Sequence, residues 1–75
     1  MKRTLKRVTI QETPDGWVSL EYGRKYKTAA GALRGVKRDN AKLAGPDTMV
    51  ITVIEWQPTT RTGDMVVRAL RSQFQ

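Results

Sequence analysis

An α+β fold is predicted from three features of this sequence: two alternating segments around an N-terminal turn signal, a central amphipathic segment, and a β-branched run near the C-terminus. The expected order is β-β-α-β-β, with β-β-α-β-α as the alternative, in one domain over residues 1–75. The N-terminal hairpin and a C-terminal strand or hairpin form a small antiparallel sheet, and one helix packs on one face of it.

The hairpin comes first. Val8 and Ile10 alternate with Arg7, Thr9 and Gln11, the period of a half-buried strand. Val18, Leu20 and Tyr22 repeat the alternation after Thr13-Pro14-Asp15-Gly16, whose Pro and Gly suit a type I turn followed by a glycine bulge. That bulge sets Glu12 opposite Val18, Ile10 opposite Leu20 and Val8 opposite Tyr22, gathering every large apolar side chain except Trp17 on one face. A plain two-residue turn sets Ile10 opposite Ser19 and divides the apolar set, so the bulged register is expected.

Gly23 to Lys27 reads as a polar, basic connection, and Thr28 as a helix N-cap. Ala29, Ala32, Leu33, Val36 and Leu43 then gather on one side of a 3.6-residue wheel, with Arg34, Lys37, Arg38 and Lys42 opposite. Gly45-Pro46 ends the helix. Gly31 and Gly35 weaken its first turns by about 1 kcal/mol each relative to Ala. Met49 to Trp56, apolar on both faces, reads as an interior strand, and residues 57–64 as a loop. Met65 to Leu70 carries both signals. Val66-Val67 favours a returning strand, the spacing of Met65 with Ala69 and of Val66 with Leu70 favours a helix, and the strand is preferred.

Composition removes most enzyme classes. Neither Cys nor His occurs, which excludes disulfides, imidazole bases, thiol nucleophiles and almost every protein zinc site. The carboxylates are too scattered to hold Mg²⁺ or Ca²⁺, so no catalytic residue, metal or cofactor is expected. A core of this size supplies only roughly 3–5 kcal/mol, and association into a homodimer is a reasonable further source of stability. No run approaches the roughly 20 apolar residues of a membrane span, and the chain is expected to be cytoplasmic, with no membrane partner.

Charge carries the functional content. Fourteen Lys and Arg against seven Asp and Glu give +7, and eleven of the fourteen precede Ala44. They form three clusters: Lys2, Arg3, Lys6 and Arg7; then Arg24, Lys25 and Lys27; then Arg34, Lys37, Arg38 and Lys42. Arg34, Arg38 and Lys42 recur every four residues, rising along one helix face about 6 Å at a step, as a phosphate-tracking row does. The first cluster reads as a nucleic-acid-binding arm, or as charge that keeps a strand edge from pairing. Gly31 and Gly35, at the border of the basic side, read more readily as a close structural contact than as room for a phosphate. Trp17, on the hairpin face away from Val8 and Ile10, reads as an interface residue; Tyr22 and Trp56 belong in the core.

A hairpin followed by Gly23-Arg24-Lys25-Tyr26-Lys27-Thr28-Ala29-Ala30 and a helix resembles small sheet-plus-helix DNA readers, the AP2 domain and the arm-binding domains of phage integrases. The resemblance spans about half the chain, lacks the third strand those families place before the helix, and implies reading of DNA by the sheet. It transfers no individual functional residue. A short, basic, cysteine-free chain is also similar in composition to many phage-encoded accessory proteins. The expected function is non-enzymatic binding of nucleic acid, DNA or RNA, through phosphate contacts of the basic helix face and the N-terminal arm. The alternative is a small phage or bacterial interaction module that docks on an acidic protein.

Overall fold

The computed structural model describes residues 2–73. Its elements run β1 (Lys2–Thr13), β2 (Gly16–Ser19), β3 (Arg24–Tyr26), α1 (Ala29–Ala41), β4 (Thr48–Gln57) and α2 (Arg61–Gln73). The order is therefore β-β-β-α-β-α. The fold is α+β as expected, but with four strands and two helices. The sheet runs β3-β2-β1-β4. β1 pairs antiparallel with β2, and β2 with β3, whereas β1 and β4 are parallel over ten residue pairs, Lys2 with Thr48 through Gln11 with Gln57. The sheet is mixed and not antiparallel throughout, because β4 returns from α1 in the direction of β1. A parallel pair needs such a crossover, and β2, β3 and α1 together supply it.

Three local readings change. The hairpin takes the plain two-residue turn, pairing Thr13 with Gly16, Glu12 with Trp17 and Ile10 with Ser19. Trp17 then shares a face with Val8 and Ile10, and meets Trp56 edge-on with centroids 5.6 Å apart at 88°. The bulged register would have buried Leu20 and exposed the indole. The largest apolar side chain of the hairpin decided the face, leaving Leu20 more than half exposed and Ser19 fully buried. Gly16, at φ +145°, lies so close beneath the backbone of Tyr26 that a Cβ would sit 2.3 Å from its carbonyl oxygen.

The basic connection contains the second change. A turn through Gly23, at φ +66° with its N–H donating to the Ser19 carbonyl, reverses the chain into β3. The third strand absent from the sequence reading is therefore present. Thirdly, residues 61–73 are helical and not a strand. The pair Val66-Val67 is overridden because Val67 and Leu70, three apart, both reach the core. As a result β4 is an edge strand and not an interior one.

Both helices cover the face formed by Val8, Ile10, Trp17, Ile54 and Trp56. α1 is capped by Thr28, whose Oγ1 accepts from Gly31 N–H at 3.0 Å, and it buries Ala29, Ala32, Leu33 and Val36. It ends at Ala41, earlier than the Gly45-Pro46 signal, with Leu43 and Ala44 N–H bonding the carbonyls three residues back. Leu43 is thereby lifted off the apolar stripe and exposed. Asn40 completes the stripe, accepting from Tyr22 Oη and donating through Nδ2 to Thr52 Oγ1 at 3.0 Å. This buried amide holds the C-terminal end of α1 against β4, and both its polar atoms are satisfied.

α2 is anchored by a carboxylate from the far end of β1. Glu12 Oε1 accepts from Thr59 and Thr60 N–H at 2.8 and 2.9 Å, and Oε2 from Thr60 Oγ1 at 2.7 Å. Thr60 in turn caps the helix, accepting from Gly63 N–H at 3.0 Å. Any side chain at Gly63 would run into the Glu12 carboxylate. The Thr60 hydroxyl and the two backbone donors hold the Glu12 carboxyl below its ordinary value of 4.5, against a smaller opposing effect of desolvation.

Two outcomes follow from this arrangement. Trp17→Ala should cost about 3–5 kcal/mol, comparable to the whole stability of a domain this size, and urea denaturation measures it; wild-type stability would contradict the core placement. Glu12→Gln should destabilise at neutral pH. A depressed carboxyl contributes stability that is present above its unfolded value and lost as pH falls through the folded one. The gap between wild-type and variant urea midpoints should therefore close on acidification below 4.5, and a gap independent of pH would remove the charged cap.

Candidate nucleic-acid interface

Strand alternation divides the basic clusters. In β1 and β4, residues of even number face the helices and those of odd number face the uncovered side. Lys2 and Lys6 therefore stand on the helical side, Lys6 beside Thr52 and so next to the Asn40 end of α1. Arg3 and Arg7 stand on the opposite, uncovered face, where Arg7 pairs with Glu55 at 3.6 Å. Lys25, paired with Val18, joins them there. Lys27 lies apart from both groups, in a cleft at the hairpin turn with Glu12, Asp15, Trp17 and Gly63. The arm envisaged at residues 2–7 is thus part of a strand, and its four cations point two ways.

The third cluster stays together and gains a member. Arg34, Lys37, Arg38 and Lys42 line the outer side of α1, because the opposite side is committed to the core through Ala29, Ala32, Leu33, Val36 and Asn40. Arg24, which faces the helices from β3, reaches Asp39 at 3.4 Å, and Lys42 reaches the other oxygen of that carboxylate at 3.9 Å. Asp39 therefore joins Arg24 to the helix row. Arg34 and Arg38 form no ion pair among the described residues. Arg24, Arg34, Arg38 and Lys42 bring four positive charges to this surface, and among the described residues Asp39 is the carboxylate that pairs with Arg24 and Lys42. Arg24 and Lys42 are themselves 60% and 72% exposed although Asp39 is largely buried, so both cations stay accessible to a phosphate.

Four of the other six carboxylates are engaged elsewhere. Glu12 caps α2, Glu21 accepts from Thr9 N–H at 2.8 Å, Glu55 pairs with Arg7, and Asp64 pairs with Arg68 at 3.0 Å within α2. None of these four forms an ion pair with the α1 row.

Two further sequence readings resolve here. Trp17, read as an exposed interface residue, is only 6% exposed and belongs to the core, since the two-residue turn rotates it inward. Gly35 is a contact and not an opening for phosphate: it is buried under the Tyr26 ring, and a Cβ there would stand 2.6 Å from Tyr26 Cε1. Tyr26, within the segment read as a basic connection, thus fixes the height of α1 above β3. The Gly35-Tyr26 pairing had no signal in the sequence beyond the cost of a glycine inside a helix.

Among the described residues, no helix is long and apolar enough to cross a membrane. Gly35→Ala should destabilise by roughly 1 kcal/mol net, the gain in helix propensity being outweighed by displacement of the ring. Thermal denaturation measures this, and a stabilised variant would show that Tyr26 does not bear on α1.

No family model matches the chain, and no curated protein or solved structure does either.

Proposed function

We propose that the chain is a non-enzymatic nucleic-acid-binding protein that holds the phosphate backbone on the outer face of α1. The observation that carries the reading is the surface of Arg24, Arg34, Arg38 and Lys42, beside Lys37, in which Asp39 is the carboxylate that pairs with Arg24 and Lys42. Arg34 and Arg38 lie one helical turn apart, close to the spacing between successive phosphates of a strand, and guanidinium groups match phosphate oxygens in pairs. Lys6 extends the surface at the C-terminal end of the helix. A cytoplasmic setting belongs to this reading.

The uncovered sheet face fits a polyanion less well. Its cations Arg3, Arg7 and Lys25 are interrupted by exposed Leu5 and Ile51, and Arg7 is already bridged to Glu55. The alternative, docking on an acidic protein, has lost the aromatic anchor it relied on, because interface hot spots are enriched in accessible Trp and Trp17 is buried.

With four to five phosphate contacts, log K against log salt should fall with a slope near −4 on duplex DNA. Fluorescence anisotropy at several salt concentrations measures it. Arg34→Glu combined with Arg38→Glu, both exposed, should leave the circular dichroism spectrum unchanged, reduce the slope by about 2 and weaken binding by at least tenfold. Unchanged affinity in the folded variant overturns the assignment. A protein partner retained from a nuclease-treated lysate, together with no salt-dependent DNA or RNA binding, favours the acidic-protein reading.

A further inference from the structure

The sheet has three open edges, and they are not alike. β3 is three residues long and carries Arg24 and Lys25. The N-terminal stretch of β1, beyond its pairing with β2, carries Lys2, Arg3, Lys6 and Arg7. Short length and a run of cations are the usual devices that stop an edge from pairing with another chain. The outer edge of β4 has neither. It is ten residues long, Thr48-Met-Val-Ile-Thr-Val-Ile-Glu-Trp-Gln57, with no Pro, no Lys or Arg, and Glu55 as its only charge. Six of the ten are β-branched.

The same strand borders an unpaired apolar band. On the uncovered face Leu5 is 54% exposed, Met49 45% and Ile51 40%. These residues lie where β1 and β4 run on together past β2 as a two-stranded ribbon. Twelve residues of β1 at about 3.3 Å each account for the 41 Å length of the molecule. A two-stranded ribbon is marginal in water by itself, and a further strand stabilises it.

We infer that the outer edge of β4 pairs antiparallel with β4 of a second copy of this chain, about a two-fold axis near Thr52, giving a continuous eight-stranded sheet. Charge complementarity selects this occupant and this direction. Like faces stay together when residues of like parity pair, so Ile51 meets Val53 of the second copy and Met49 meets Glu55 of the second copy. The carboxylate of that Glu55, 3.6 Å from Arg7 of its own chain, then also enters the cross-strand row of Arg3, two strands away at about 9–10 Å between backbones, within reach of two long side chains. Leu5, Ile51 and the second copy's Val53 and Arg7 stem form the adjoining row. The contact is isologous, so it closes as a dimer and does not propagate. The two helical layers fall on the same side of the joined sheet. None of this rests on the nucleic-acid reading.

Sedimentation equilibrium should give twice the 8.5 kDa chain mass for the wild type. Ile51→Lys and Glu55→Lys each change a side chain exposed in the single chain, and both should return the mass to 8.5 kDa with an unchanged circular dichroism spectrum. Hydrogen exchange of the unaltered protein gives a second readout. The alternate amides of β4 that point away from β1 should become protected as concentration rises, and amides of the β1 edge should not. A monomer at every concentration, a dimer kept by both variants, or β4 amides indifferent to concentration would each overturn the inference.

Discussion

The edge-to-face contact of Trp17 with Trp56 joins the two halves of the chain, and most of the remaining geometry is arranged around it. Trp17 comes from the short hairpin strand and Trp56 from the strand that follows the crossover, and each flanks Ile10 on the same face of the sheet. Burying the indole fixes the hairpin register at a two-residue turn. That register sets Trp17 opposite Glu12, whose carboxylate, on the Ile10 face of β1, reaches the N-terminal end of α2. It also leads the chain through Gly23 into β3, which carries Tyr26 under Gly35 and Arg24 beside Asp39. One slip of register would reverse every side chain of β2 and turn Trp17 away from Trp56.

The basic surface of α1 is a consequence of this packing. A helix that gives Ala29, Ala32, Leu33, Val36 and Asn40 to the core has one other side to present, and the sequence has filled it with Arg and Lys. The surface stays positive in part because Glu12, Glu21, Glu55 and Asp64 are engaged elsewhere. A carboxylate that accepts several backbone N–H bonds, as Glu12 does, or pairs within its own element, as Asp64 does with Arg68, cannot also neutralise a distant row. Asp39 is the exception, and it serves to attach Arg24 to the row more than to cancel it.

The two faces of the sheet have divided the work. The helical side holds the core and the long cationic row, and the uncovered side holds an apolar band flanked by Arg3, Arg7 and Glu55. Alternation along a strand makes this separation unavoidable once a run such as Lys2-Arg3-Thr4-Leu5-Lys6-Arg7 is extended, because neighbours in sequence then point to opposite solvents.

The sequence alone determined the elements whose signals are local. Thr28 and the stripe from Ala29 to Val36 placed α1, alternation placed the C-terminal half of β1, and β-branched density placed β4. It also determined that Arg34, Arg38 and Lys42 share one helix face. Tertiary structure decided the rest, each time because a distant partner outweighed a local preference. Trp56 drew Trp17 inward against the count of smaller apolar residues, and the core accepted Val67 and Leu70 in helical spacing where Val66-Val67 alone favoured a strand. Asn40, polar and unremarked on an apolar stripe, found Tyr22 and Thr52 only once three elements had met. Whether β4 lies inside or at the edge of the sheet was decided in the same way: periodicity reports which faces of a strand are apolar, and only the assembled sheet determines which strands lie beside it.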